Sequence, residues 1–599
     1  MRLGRCQQYA HGTGQCPLLT PAETQDVASL RNTFTAMLSN RLFNALLFAV
    51  VAINFTALWL PIMEPDNGLY ATVAKRMFLT GDYINLFSCE LEWLDKPRLP
   101  FLLNVLFMKV LGVTTAAYKL PALLCFCGSL FYTYRFARLN YSRLVAQVAT
   151  LIFGTAYHVI LSNTDVRAEP FLTLFIIGPA YHFMQVVQGG KGYHLVLGSL
   201  LTACAMMTKG PVVPLATVGA GLVAHCTFTS QWKKLWHPRW LLAGLLTTLF
   251  ISPELYALYQ QFDAHPEKIV YGKPGTSGLR FFFWDSQMGR FLNNGPLRGS
   301  GDPLFFTHTL LWALLPWAFV VYVAIGRTIA GLFGRRQKNA APPLPEYLSL
   351  GAGVSLFILF SASRFQLPHY LNIVFPFYAV LAAHYLSQLS ATGLRRWTIT
   401  QTIVAGLVGT FVTGVMLLYQ PERLTSGLIW IGGLGLLTTV VFWRYRPHFG
   451  NPLALLTGRM VGLMVIVGGL INLFLYPSIM QYQAGMVAAE YTNSRPELRQ
   501  TTWFYGGSTY GESSWSYEYY TNHPTHYIYA DSTLRRATAT GPVQVLTTPA
   551  YADSLTRNGF QVRRLALFPY YHVSQLTFAF LNPATRLSTL RAYVLAEVR

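Results

Sequence analysis

The sequence predicts a polytopic α-helical membrane protein with a small α/β domain outside the membrane at its C-terminal end. Three observations lead there. Of the 599 residues, 52% are hydrophobic and only 12% charged, where an ordinary soluble domain carries about 25% charged residues. Apolar stretches of the ~20 residues needed to cross a bilayer core recur from about Leu42 to Tyr476, with short polar breaks between them. After residue 480 the apolar density drops and short β-branched or aromatic runs alternate with helical ones. A large soluble core is thereby excluded, and lipid is the main solvent.

The formal net charge of +21 would suggest nucleic acid in a soluble protein. Here Lys and Arg sit mainly between apolar spans, so topology and anionic headgroups account for them. Seven cysteines at 6, 16, 89, 125, 127, 204 and 226 show no CxxC pair or metal-ligand spacing. Residues 1–40 are polar and contain no apolar signal-peptide region, which assigns them as a cytoplasmic segment before an uncleaved first span.

About thirteen spans are expected, at 42–61, 119–137, 143–161, 167–187, 193–208, 211–228, 240–258, 304–326, 346–362, 369–389, 398–419, 427–443 and 460–478. Alternate connections hold Arg135, Arg138 and Arg143, then Lys233, Lys234 and Arg239, and later Arg395 and Arg396. Positive residues near helix ends are retained in the cytoplasm. The opposite connections therefore face outward, including the long loops 62–118 and 259–303 and everything after about 479. The apolar run 99–112 is too short to cross, and counting it would invert every later loop, so it is expected as an interfacial helix. The membrane part is thus 41–479 and the outer α/β domain 480–599, with strand-like runs at Thr502–Tyr505, His526–Tyr529, Val543–Leu546 and Val562–Leu567 and a helix at Tyr551–Asn558.

Polar chemistry concentrates in the outward set. The first loop offers Asp66-Asn67-Gly68-Leu69-Tyr70, where Asp66 or Asn67 is positioned to cap a helix running to Thr80 and stopped by Gly81. A carboxylate at the membrane lip is equally suited to act as general base toward a hydroxyl. Further on stand Asp95-Lys96-Pro97-Arg98, in which Lys96 and Arg98 have the alternative of snorkelling to headgroups. Asp165, Lys209, Arg290 and Arg364 also fall in outer loops, and Lys209 and Arg364 run against the usual charge bias, which favours binding of an anionic phosphate. Arg167 and Glu169 lie just inside the fourth span, where burial is costly unless they are functional or paired with each other. His265, His308 and His369 are isolated histidines at helix ends, more commonly satisfied polar residues than catalysts.

Asp66 through Met77, Gly81-Asp82, Asp95-Lys96-Pro97 with Leu99-Pro100, Thr164-Asp165, Thr208-Lys209-Gly210-Pro211, Arg290-Phe291, Leu314-Leu315-Pro316-Trp317 and Ser363 to Tyr370 form an ordered set. That set resembles the GT-C superfamily of membrane glycosyltransferases, particularly the aminoarabinose transferases and protein O-mannosyltransferases. The resemblance implies a GT-C fold and transfer of a sugar from a polyprenyl-phosphate donor to a lipid (lipid A), glycan or protein acceptor on the outer face of a bacterial inner membrane, with inversion. It implies Asp66 as the base, with Asp165 orienting the acceptor or Asp66's partners. Lys96, Lys209, Arg290 and Arg364 would meet the donor phosphate, and Tyr70, Asp95, Arg167, Glu169, His369 and Tyr370 would complete the site. Two departures stand out: the aminoarabinose transferases usually read Asp-Glu-x-Arg-Tyr at 66–70, and a common Glu is here Asp95. The second leaves a bridging divalent metal at Asp95 open. A secondary transporter or flippase is the rival reading, and it expects functional charges near mid-bilayer instead of at one face.

Overall fold

In a computed structural model, residues 39–293, 298–333, 344–444, 452–505 and 514–599 are described; the expected cytoplasmic segment 1–40 lies almost entirely outside them. Backbone polar groups in hydrocarbon must be satisfied within their own segment, which restricts spanning elements in this composition to helices. Among the described residues, seven helices are long and apolar enough to cross: Asn40–Trp59, Thr115–Asn140, Glu169–Val187, Arg239–Asp263, Pro368–Ser387, Ala391–Tyr419 and Pro452–Met480. Shorter apolar helices cover Val212–Phe228, Ala318–Leu332, Leu348–Ala362 and Leu424–Leu436, and Tyr193–Lys209 is a further helix. The protein is a polytopic membrane protein.

Two expected single spans are broken. The stretch expected at 143–161 is a pair, Arg143–Gly154 and Tyr157–Thr164, bent by 52°. The one expected at 304–326 divides into Phe305–Ala313 and Ala318–Phe333 around Pro316, which has no N–H to give a helix. The breaks brace each other: Tyr157 N donates to Leu315 O at 2.9 Å, and Trp317 Nε1 to Thr155 Oγ1 at 3.0 Å. Polar groups freed by one interruption are satisfied by the other, as irregular backbone in a membrane requires. Trp317 is fully buried at this crossing.

The run 99–112 forms the helix Leu99–Leu111, which buries Phe101, Val105 and Met108 and leaves Leu102, Leu106 and Val110 without protein cover. An apolar outward face is what a helix lying against lipid presents.

After Met480 the chain builds a five-stranded sheet in the order β4-β3-β5-β7-β6, with β3 Thr502–Tyr505, β4 Thr525–Ile528, β5 Val543–Thr547, β6 Val562–Tyr570 and β7 Arg591–Val598. β3 pairs parallel with β4 and β5, whereas β7 runs antiparallel between β5 and β6. The last strand is absent from the sequence-based expectation, and the helix expected at Tyr551–Asn558 spans Pro549–Arg557. In the first outer loop a hairpin of β1 Phe87–Ser88 and β2 Leu91–Glu92 turns through Cys89 and Glu90, both at positive φ. The Glu90 carboxylate accepts from Tyr527 N at 3.1 Å and meets His526 Nδ1 at 2.7 Å. The hairpin thus covers the open edge of β4, which would otherwise be free to pair.

Candidate active site

The helix Asp66–Thr80 stops at Gly81, whose φ of 70° is the left-handed conformation that ends helices. The expected cap is corrected: Pro65 occupies the cap position without a side-chain bond, and Asp66 is the first helical residue. Its carboxylate turns instead to Arg167, with Arg167 Nη1 2.8 Å from Asp66 Oδ2. An ionic partner competes successfully with a backbone N–H for the same oxygen.

This helix is anchored from the C-terminal domain. Lys75 Nζ donates to the carbonyls of Glu518, Tyr519 and Thr521 at 2.6, 3.1 and 2.7 Å, closing the C-terminal end of the helix Trp515–Tyr520, where a cation is favoured. Arg76 pairs with Glu518 at 2.6 Å. Just upstream, the Glu64 carboxylate accepts from Ser516 N at 2.6 Å and Ser514 Oγ at 3.1 Å. Burial nevertheless pushes the Glu64 carboxyl above its ordinary value, against those hydrogen bonds.

The segment from 84 to 98 is fastened to the helix Arg239–Leu258 and its continuation. Arg98 does not snorkel. It is fully buried, and its guanidinium donates to Glu254 Oε1 at 2.8 Å, Gln261 Oε1 at 2.6 Å and Ile84 O at 2.7 Å. Gln261 also exchanges bonds with the backbone of Leu86. This staple fixes Asp95 and Lys96 in place. Asp95 holds both Lys96 and Arg290, one on each oxygen. Burial alone would raise the Asp95 carboxyl, but the two cations hold it below its ordinary value. Lys96 lies over the Tyr70 ring, 5.9 Å from its centre, and Tyr70 packs against Trp93 and Phe101.

Lys209 ends the helix Tyr193–Lys209, where Gly210 leaves it at φ 91°. That left-handed φ is what calls for glycine there, while a side chain at 210 would also displace the Gln287 amide. Lys209 Nζ binds Glu169 Oε1 at 2.6 Å and lies 3.7 Å from the centre of the Tyr370 ring. Glu169 opens the preceding helix, Glu169–Val187. Each charge therefore complements its own helix dipole as well as its partner. The expected Arg167–Glu169 pair does not form as such. Arg167 binds Asp165 at 2.7 Å and Asp66, because a short turn separates it from Glu169 and aims it at the loop helix. His369 joins the halves: Nδ1 is 3.2 Å from Arg167 Nη1 and Nε2 3.9 Å from Glu169.

Lys96, Lys209 and Arg290, with Asp95, Glu254, Gln287 and Tyr370, stand at the wall of a cavity of about 970 Å³, part of it open solvent, whose remaining lining is mostly apolar and includes Val212, Leu258, Phe281 and Phe360. Asp66, Asp165, Arg167 and His369 lie outside that lining and are linked to it by contacts that run through Glu169 to Lys209. Arg364 stands apart: its side chain is exposed, and its backbone packs against Gly299 and Gly301. His265 and His308 pair with Glu267 and Asp302 at exposed positions. Asp95, whose oxygens are both engaged by cations, offers a divalent metal no ready ligand set. Among the described residues no three His, Cys, Asp or Glu side chains gather as metal ligands. Sequence reasoning missed Glu254, Gln261 and Gln287, whose partners lie far away in the chain and leave no local spacing signal.

Residues 95–256 match the family model described as dolichyl-phosphate-mannose-protein mannosyltransferase. The chain is 24% identical over 445 residues to an undecaprenyl phosphate-α-4-amino-4-deoxy-L-arabinose arabinosyl transferase of Sodalis glossinidius, covering 70% of this chain and 75% of the relative. It is 26% identical over 395 residues to the like-named protein of Edwardsiella ictaluri, covering 63% of this chain and 65% of the relative. Its fold is that of ArnT from Cupriavidus metallidurans, solved bound to undecaprenyl phosphate: the TM-score is 0.68 at 17% identity, over 93% of this chain and 98% of that one.

Proposed function

We propose that this chain, a GT-C membrane glycosyltransferase resembling the aminoarabinose transferases, transfers a sugar from a polyprenyl-phosphate donor to an acceptor hydroxyl on the outer face of the inner membrane, with Asp66 as general base. The observation that carries the reading is the charge at the cavity. Lys96, Lys209 and Arg290 are three cations whose direct partners are two carboxylates, Asp95 and Glu169, and Glu254 on the same wall is neutralised by Arg98, leaving one positive charge beside a mostly apolar chamber. A prenyl phosphodiester carries one negative charge on an apolar tail, and complements both features.

In this reading the tail lies along Val212, Phe281 and Phe360 and the phosphate meets the basic trio. Asp66, partly exposed and held by Arg167, takes the proton of the acceptor hydroxyl as its oxygen attacks the anomeric carbon. The anomeric C–O bond to phosphate breaks, its electron pair leaves with the prenyl phosphate, and Lys96, Lys209 and Arg290 receive that charge. Attack opposite the phosphate inverts the anomeric centre. Asp165 reaches Asp66 only through Arg167, which makes it a positioning residue. The charges gather at helix ends, as one active site at a membrane face requires and a mid-bilayer transport path does not. Lipid A, the acceptor class implied by the aminoarabinose transferases, is the first acceptor to offer, followed by glycan and protein hydroxyls.

The test offers full-length protein in nanodiscs a panel of polyprenyl-phosphate sugars and acceptors and follows transfer by mass. Transfer from at least one donor, lost with Asp66→Asn, is expected. No transfer by the wild type from any donor would overturn the reading.

A further inference from the structure

The chain between β6 and β7 does more than connect two strands. Tyr571 N donates to Tyr482 O at 2.8 Å, immediately beyond the membrane helix Pro452–Met480. Phe580 is fully buried, stacked on Tyr571 at 3.7 Å and packed against Tyr419, the last residue of the helix Ala391–Tyr419. Arg586 donates to Tyr419 O at 2.5 Å, and its guanidinium lies 4.2 Å from the centre of the Tyr419 ring. Met416, Leu470, Ile479, Tyr571, Val573 and Phe580 share one small core. The loop is therefore seated on the ends of two membrane helices.

The helix Ala391–Tyr419 has 29 residues, and only 17% of its apolar window is buried in protein. At 1.5 Å per residue it is about 43 Å long, which matches a whole bilayer with headgroups (about 40–45 Å) and places its end at headgroup level. At that level Phe578 is 71% and Leu587 79% exposed. Phe578 lies two residues from Phe580 on the short helix Phe578–Leu581, so its ring points away from the core that Phe580 fills. Leu587 follows Arg586 directly, and the hydroxyl residues Ser574, Thr577, Thr585 and Ser588 lie within a few positions of one or the other along the chain.

We propose that the 571–590 loop is a membrane-interface anchor, in which Phe578 and Leu587 insert into the outer leaflet at the level of the headgroups and hold the sheet domain against the bilayer. The occupant is lipid and not a second copy of the chain. Two side chains cover far less than the ~800 Å² per partner of a stable protein interface, and the adjoining helix is itself lipid-facing, with Leu407, Phe411 and Leu417 exposed. An apolar tip beside Arg and aromatic residues is the composition that settles at a membrane–water boundary.

The test places p-benzoylphenylalanine at Phe578 or at Leu587 in full-length protein in nanodiscs of phosphatidylethanolamine and phosphatidylglycerol. A control carries it at Arg536, on the exposed helix Asp531–Thr538 beyond the opposite edge strand. After irradiation, lipid-mass adducts are expected at 578 and 587 and not at 536. Absence of lipid adducts at both loop positions, equal yields at Arg536, or chain-to-chain crosslinks in their place would overturn the proposal.

Discussion

Arg167 holds Asp66 at 2.8 Å while gripping Asp165 on its other side, so these two carboxylates are organised by one cation. In the proposed reaction the base is positioned by a group that itself never takes the proton. Asp66→Asn keeps the side-chain shape and removes the proton acceptor. Turnover is expected to fall about 10²- to 10⁴-fold with donor binding kept. Arg167→Gln should lower kcat as well, while Arg167→Lys restores part of it. Steady-state kinetics with a saturating donor check both, and normal turnover in the Asn variant would end the assignment.

Donor affinity is expected to depend on the cavity cations. Lys96→Met should raise the donor KM by about 10- to 150-fold, the equivalent of a charged hydrogen bond of about 1.5–3 kcal/mol. Lys209→Met has a second effect, because it leaves Glu169 buried without its cation. Pairing it with Glu169→Gln should recover thermal stability and leave donor affinity low. A donor titration beside a melting curve separates the two effects.

Docking of the C-terminal domain should respond to acid through Glu64. Its folded pKa is raised by burial, so between its ordinary and raised values the folded state holds a proton that the unfolded state has lost. Stability therefore falls as pH climbs through that window and then levels off. Glu64→Gln can still accept from Ser516 N. It should flatten this limb of the Tm-versus-pH curve and match or exceed the wild type at neutral pH. A variant as steep as wild type would contradict the assignment.

Lys75 is the other half of that docking. Lys75→Met leaves three carbonyls at a helix end without their donor and should cost about 1.5–3 kcal/mol. The expected readout is faster hydrogen exchange across Trp515–Tyr520 and Asp66–Thr80 together. Loss of protection in only one of them would mean the two helices are not coupled through this side chain.

How much of this was legible in the sequence differs by kind of interaction. Lipid as solvent and the loop helix stopped at Gly81 follow from composition and local spacing, since periodicity and glycine chemistry act over a few residues. Asp66 as a cap did not hold, because local rules cannot weigh an Arg a hundred positions away. The breaks near Thr155 and Pro316 were read as continuous spans for a related reason: each interruption is tolerated only because the other satisfies it. Arg98 with Glu254, and Lys75 with the 515–520 helix, pair across distances that leave no pattern in the chain. β7 was missed because its alternation is masked by burial on both faces.

The Glu64 clasp also bears on the order of manufacture. Ser514 and Ser516 are made some 450 residues after the carboxylate they bind, which at about 5–20 residues per second takes roughly 20 to 90 s. Throughout that interval the segment bearing Asp66 is already translated yet lacks the struts that hold it. A ribosome that stops early, even after every apolar stretch has been inserted, releases a chain in which Asp66 keeps Arg167 but the segment that carries it lacks its ties to Ser514 and Ser516. The last fifth of the polypeptide thus serves as a completion check on the first.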